Sequence, residues 1–212
     1  MDSRFLSYLL IACLAIAPLL SGSLLSILLM DIAYAEFEPG IRAKFPSVEM
    51  DSYQNEMQKY LFGLRATLPE GIEYNNREIK HMADVRSVVL GVSFALLFII
   101  AIIAILCFAA YRRLGTSALL LRSLFLGGIS SLALTLFILF SFALFFETSF
   151  VFFHSLFFED GTWIFYPTDM LILLYPAAFF EKIFVQAAVI CVLLSLLLAL
   201  AGFYLKRCQK DL

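Results

Sequence analysis

The sequence predicts an all-α membrane protein: four transmembrane helices, both termini in the cytoplasm, a small extracytoplasmic cap, and interfacial or re-entrant segments on the cap's side. Three observations carry this. Hydrophobic residues make up 62% of the 212 residues and mean hydropathy is +0.93, whereas soluble domains are roughly 45–50% apolar. Four uncharged runs, residues 5–30, 87–111, 123–146 and 183–205, meet the ~20 residues that a helix rising about 1.5 Å per residue needs to cross a hydrocarbon core about 30 Å thick. Arg4, Arg112, Arg113, Arg122, Lys206, Arg207 and Lys210 gather at the ends of those runs, while fifteen of the seventeen carboxylates lie in residues 31–86 and 147–182. A positive-inside distribution of this kind places both termini in the cytoplasm and both long loops outside. Lipid offers no backbone hydrogen bonds, so such runs are helices, and nothing alternates with the two-residue period of a barrel strand.

Residues 5–30 are read as the first transmembrane helix. Ala33-Tyr34-Ala35 has the small-x-small look of a signal-peptidase site. The run ahead of it is much longer than the roughly 7–15 residues of a signal core, and Asp31 intervenes, so an uncleaved anchor is expected. Cys13 follows Leu10-Ile11-Ala12 as a lipid-modified cysteine would, yet it stands inside a long apolar run and reads as a small apolar helix residue.

Residues 31–86 form the cap. Met50, Tyr53, Met57, Tyr60, Leu61 and Leu64 recur at three- and four-residue spacings and predict an amphipathic helix. Its apolar stripe can pack on the cap or lie on the membrane surface. "LPEGIEYNN" then supplies turn residues, and "REIKHMADVRSVVL" runs into the second transmembrane helix, residues 87–111. A cytoplasmic loop, 112–122, precedes the third, 123–146.

The second outer loop, 147–182, holds two uncharged stretches, 148–158 and 170–180, each too short to span. Stretches of about 10–14 apolar residues are interfacial, re-entrant or buried. Trp163, Tyr166 and the phenylalanines suit the headgroup boundary. Pro167 and Pro176 break helices, and Asp160-Gly161 marks a turn. The fourth transmembrane helix is expected over 183–205, followed by a cytoplasmic tail, 206–212.

Cysteines are absent from both outer loops, which excludes a disulfide framework there. No C-x-x-C pair occurs and the chain has only two histidines, far apart in sequence, so the usual zinc ligand sets are missing. Neither a metal, nor another cofactor, nor a nucleic-acid partner is expected. A G-x-S-x-G elbow, an H-E-x-x-H helix and a Gly-rich phosphate loop are likewise absent.

The two histidines, His81 and His154, each lie on the outer side within about two turns of a transmembrane run, so they can meet at one depth. An ionisable group in "FVFFHSLFF" is costly at the edge of a membrane and points to function. On a helix, Glu78, His81 and Asp84 share a face, and either carboxylate could hold one ring nitrogen of His81. Ser155 diverges by about 100° from its neighbour His154 on a helix and is read as packing.

Three stretches, "EIKHMADVRSV" from Glu78, "FHSLFFEDGTWIFYPTDMLILLYPAAFF" from Phe153 and, less firmly, "YQNEMQKYL" from Tyr53, resemble the lipoprotein intramolecular transacylases. The resemblance spans most of the chain. It implies a multi-pass enzyme of the bacterial cytoplasmic membrane, its active site facing the outer leaflet. Its partners would be membrane lipids and diacylglyceryl-modified lipoproteins. One acyl chain would move from glycerol to the amine of the terminal cysteine, giving a lyso-form lipoprotein. It implies His81 and His154 as the catalytic pair. Asp84, Arg86, Trp163 and Asp169 are candidates for supporting or substrate-binding roles. One departure stands out: where the family tends to carry a glutamate after the proline, this chain has Ala177 after Pro176.

The chemistry needs neither serine nor metal. An amine attacking an ester requires a base, an oxyanion partner and an acid, duties that two near-neutral imidazoles can share. Donor and acceptor belong to one molecule, so folding the lipid head supplies a high effective concentration. The alternative class is a non-enzymatic scaffold or small permease. The absence of charges from all four runs disfavours an ion-coupled pathway.

Overall fold

The computed structural model describes residues 3–114, 118–159 and 161–208. Its regular elements are helices, nine among the described residues: α1 (Ser3–Leu28), α2 (Met30–Tyr34), α3 (Glu38–Lys44), α4 (Met50–Leu61), α5 (Asn76–Leu114), α6 (Ala118–Leu144), α7 (Phe146–Phe157), α8 (Met170–Leu174) and α9 (Ala177–Cys208). Four segments, Ser3–Leu28, Asn76–Arg112, Ala118–Leu144 and Ala177–Arg207, are long and apolar enough to cross a membrane. The all-α architecture with four such helices agrees with the sequence. Of the inner loop expected at 112–122, residues 115–117 lie outside the described residues, as does Asp160 of the expected Asp160-Gly161 turn.

Two helices run further than their uncharged stretches. With 39 residues α5 is about 58 Å long at 1.5 Å per residue, nearly twice a hydrocarbon core. Its first turns therefore stand clear of the uncharged run that begins at Ser87. The last helix begins directly after Pro176 rather than at residue 183, because Pro176 ends α8 and its carbonyl accepts from Phe179 N–H at 2.8 Å to start the next turn. Residues 177–182 are thus helix, not loop. Ala177 is the first residue of α9 and is exposed.

The chain divides into two compact units. The first comprises Met1–Leu25, Ser93–Phe140 and Ala187–Leu212. In lipid, helix association rests on close backbone packing and polar pairs rather than on a hydrophobic drive. A Cβ on Gly128 would stand 2.5 Å from Ala199 N, and one on Gly202 would stand 2.5 Å from Phe125 N, so α6 and α9 touch through their backbones. Buried Ser195 donates to Ser131 Oγ at 2.9 Å, and Ser7 and Ser123 pair at 3.2 Å. On α5, Leu106 and Ala110 are buried against Leu6, Leu10, Cys13 and Leu14, while Phe94, Leu97, Phe98, Ile105 and Phe108 stay exposed and suit contact with lipid tails.

The second unit, Ser26–Val92 and Ser141–Gln186, holds the candidate site. Met50, Tyr53, Met57, Tyr60 and Leu61 of α4 are all buried. The stripe is therefore a core of this unit and not a membrane-binding face. Leu64, counted in that stripe from its spacing, is 80% exposed because the chain leaves the helix at Gly63, whose φ of +76° favours glycine. Tyr34, Tyr175 and Phe179 pack ring on ring, and Tyr175 Oη–H donates to buried Gln54 Oε1 at 3.0 Å. At 12 residues α7 is about 18 Å long, too short to span. Its Val151, Phe152, Phe153, Leu156 and Phe157 are exposed, an apolar surface suited to the membrane boundary.

Candidate active site

The site starts from the way α5 begins. Asn75 Oδ1 accepts from Arg77 N–H at 3.0 Å and Glu78 N–H at 3.1 Å, and Asn75 N–H donates back to Glu78 Oε2 at 2.8 Å. This reciprocal capping box satisfies donors that a helix start leaves open. Glu78 does more. Its other oxygen accepts from Leu171 N–H, in the first turn of α8, at 2.7 Å, so one buried carboxylate closes two helix starts.

A second tie runs parallel to it. Arg77 Nη2 donates to Asp169 Oδ2 at 2.8 Å, and the same oxygen accepts from Tyr166 N–H at 2.7 Å. Asn75 Nδ2 donates to Asp169 Oδ1 at 3.2 Å. The guanidinium also lies over the rings of Phe165 and Tyr166, at 5.4 and 5.1 Å from their centroids. The loop between α7 and α8 is thereby clamped onto the first turn of α5, with Phe165 held beside the next turn.

His81 stands one turn beyond Glu78 on α5, and His154 projects from α7. Their rings lie 6.4 Å apart, centroid to centroid, and are nearly parallel at 16°. Phe158 borders both, at 4.8 Å from His81 and 5.4 Å from His154. Phe165 meets His81 edge-on at 5.1 Å, Trp163 lies 4.8 Å from His154, and Phe150 packs on His154 at 4.0 Å. Two imidazoles 73 positions apart in sequence thus share one aromatic enclosure.

Their polar contacts differ. His154 Nδ1 lies 2.8 Å from the Phe150 carbonyl, an acceptor only, so Nδ1 carries the proton and Nε2 the lone pair. His81 Nδ1 is buried without a hydrogen-bond partner among the described residues. Glu78 and Asp84, three residues to either side, do not hold that nitrogen. Glu78 is committed to two backbone N–H groups. Both histidines lie outside the uncharged run that begins at Ser87. Burial first, and then the neighbouring His154, push the His81 imidazole down to about 4. Burial also lowers His154, opposed by its hydrogen bond to Phe150. Both rings are therefore neutral at pH 7 and able to accept a proton.

Of the supporting candidates, Trp163 reaches the histidines, its ring against His154 and its Nε1 buried without a partner among the described residues. Asp169 belongs to the clamp that holds Phe165. Arg86 faces the cap: it donates to the Ala66 carbonyl at 3.1 Å and lies over the Tyr60 ring at 5.1 Å. Asp84 stays half-buried and makes no bond to His81 Nδ1. Sequence reasoning did not single out Arg77, Asn75 or Phe165. The spacing of Asn75 and Glu78 carries the capping-box signature, so that pair was open to detection. The partners of Arg77 lie some ninety residues on and left no local signal.

Solved structures of similar fold exist. The membrane-integral lipoprotein intramolecular transacylase Lit of Bacillus cereus superposes with a TM-score of 0.84 at 19% identity, over 99% of this chain and 98% of that one. The same protein with one histidine changed to arginine gives 0.81 at 18% identity, over 99% and 94% of the two chains. With that histidine changed to alanine it gives 0.81 at 18%, over 99% and 96%. These likenesses concern the fold. No curated protein sequence matches the chain significantly. The model of the family "Lipoprotein intramolecular transacylase Lit" matches residues 5–180, a stretch that takes in three of the four apolar runs, the cap and both histidines. By that match this integral membrane protein belongs to the lipoprotein intramolecular transacylases, a family of acyltransferases.

Proposed function

We propose that this chain moves one acyl chain of a diacylglyceryl-modified lipoprotein from the glyceryl oxygen to the α-amine of the terminal cysteine, with His81 and His154 as the catalytic pair. The observation that carries the reading is the near-parallel placement of the two imidazoles, 6.4 Å apart inside aromatic walls. The positive-inside pattern supports a site at the outer leaflet, with both termini in the cytoplasm. Substrate enters along the exposed apolar side of α7.

His154 is the base. Its Nε2 takes the proton lost by the amine as the new N–C bond forms at the ester carbonyl. The C–O bond to glycerol then breaks, and the same proton passes from Nε2 to the departing glyceryl oxygen, so the enzyme ends as it began. His81, held neutral by burial, supports the developing oxyanion through a ring N–H, as a neutral imidazole of low pKa can. Both reacting groups sit on one lipid head, and the aromatic enclosure excludes water that would hydrolyse the ester. Trp163 closes the His154 side of this enclosure. Asp169 and Glu78 position the loops that form it.

Mass spectrometry of lipoprotein N-terminal peptides tests the proposal, using cells that express this chain in a host that leaves the terminal amine free. The expected product has one acyl chain on nitrogen and one on glycerol. Unchanged diacyl lipoprotein with a free amine, despite good expression, would refute the transacylase reading. His81→Ala and His154→Ala are each expected to stop migration while the protein still inserts in the membrane. Full activity in either variant would refute the pairing.

A further inference from the structure

The first unit carries a charge imbalance that the reaction does not use. Its residues hold Arg4, Arg112, Arg113, Arg122, Lys206, Arg207 and Lys210, and its described residues include no Asp or Glu at all. Asp2 and Asp211, its two carboxylates, lie outside the described residues. Three of these cations meet at one place. Arg122, near the start of α6, and Lys206 and Arg207, in the last turn of α9, line a groove of about 500 Å³ together with Phe125, Leu126, Gly202 and Phe203. All three are exposed, and none makes an ion pair among the described residues.

The groove has two chemical parts. Its floor is apolar, set by the close contact of α6 and α9 at Gly202 and Phe125. Its rim is cationic, supplied by two helices at the boundary where the apolar runs end. A soluble anion such as free phosphate would satisfy the rim and leave the floor without use. An amphiphile with a negative head and hydrocarbon tails satisfies both. We propose that this groove binds an anionic phospholipid, its phosphate between Arg122, Lys206 and Arg207 and an acyl chain against Phe125, Leu126 and Phe203. Such a lipid supplies the counter-charge that the described part of this unit lacks. This site shares no residue with the histidine pair and does not depend on the reading of that pair.

Native mass spectrometry of the full chain, purified in mild detergent and offered phosphatidylglycerol, phosphatidylcholine or inorganic phosphate, tests the site. One retained phosphatidylglycerol is expected, with phosphatidylcholine and inorganic phosphate lost under the same conditions. Each cation at an anionic lipid surface contributes about fivefold, so changing Arg122, Lys206 and Arg207 together to Gln should weaken retention on the order of a hundredfold. Removing charge can disturb insertion, so Leu126→Trp, which keeps every charge and fills the groove, provides the second arm. It is expected to reduce retention while helicity and melting stay unchanged. Equal retention of phosphatidylcholine, binding of inorganic phosphate as tight as of the lipid, or undiminished lipid retention in Leu126→Trp would each overturn the assignment.

Discussion

Glu78 and Leu171 are joined by a hydrogen bond of 2.7 Å that spans 93 positions of sequence, and the same carboxylate accepts from Asn75 N–H at 2.8 Å. The helix that carries His81 and α8, which ends the loop that follows His154, therefore start from one buried acid. Removing it leaves the buried Leu171 N–H unpaired, at about 1–3 kcal/mol, and takes the cap from the part-buried Asn75 N–H, at a smaller cost. Glu78→Ala is accordingly expected to destabilise the protein by about 2–5 kcal/mol. Glu78→Gln, which retains one acceptor oxygen, should lose roughly half as much. Thermal unfolding in detergent measures both, and equal melting of Glu78→Ala and wild type would show that the carboxylate does not organise these starts.

Arg77 and Asp169 form the parallel tie, with side chains 35% and 12% exposed. Because both sit in one hydrogen-bonded network, a cycle of Arg77→Ala, Asp169→Ala and the double variant should give a coupling of about 1–2 kcal/mol. Arg77→Lys is not a conservative change here, since an ammonium cannot lie flat over Phe165 and Tyr166 while pairing with the acid. It should lose most of the same coupling. Strict additivity in the cycle would contradict the clamp.

Much of the architecture is legible from composition, because a run of about twenty uncharged apolar residues has no other stable form in lipid. What resists reading depends on contacts remote in sequence. Leu64 keeps the helical spacing of Met57 and Leu61, yet a left-handed turn at Gly63 removes it from the stripe. Residues 177–182 read as loop because Glu181 and Lys182 end the apolar run, while backbone bonds carry the helix through them. For the site, topology alone allowed His81 and His154 to share a depth. That Glu78 would serve Leu171 rather than His81 could not be seen, since both uses call for the same residue on the same helix face.

The phenylalanines around His154 fall into two groups. Phe158 packs against both imidazoles, whereas Phe152 is 66% exposed on the other side of α7. Phe152→Leu should leave both stability and acyl migration near wild type, within about 0.5 kcal/mol as for other exposed positions. Phe158→Ala opens the wall between the histidines and should reduce stability by about 3 kcal/mol or less, given its partial exposure, with a larger loss of activity. Melting together with peptide mass spectrometry separates the two effects. If Phe152→Leu proved as damaging as Phe158→Ala, the enclosure would not be what matters around His154.

The lowered imidazoles fix the sense of the pH dependence. His81 binds a proton at about 4 when folded and near its ordinary 6.5 when unfolded. Between those values the unfolded chain holds more protons, so stability rises with pH. It is fully present above 6.5 and declines as pH falls toward 4. His81→Asn, which cannot ionise, should flatten that decline in a melting series from pH 7 to 4. The rate follows a separate logic. The acceptor α-amine must be free, which sets an acid limb near its ordinary value of about 7.7–8.0. Because burial lowers His154 as well, protonation of that base should add a second, steeper fall only below 6.5. Initial rates of acyl migration on a diacylglyceryl peptide between pH 5 and 9 measure this. A break near 8 in both wild type and His81→Asn would belong to the substrate, and a histidine break above 6.5 would contradict a buried, neutral base.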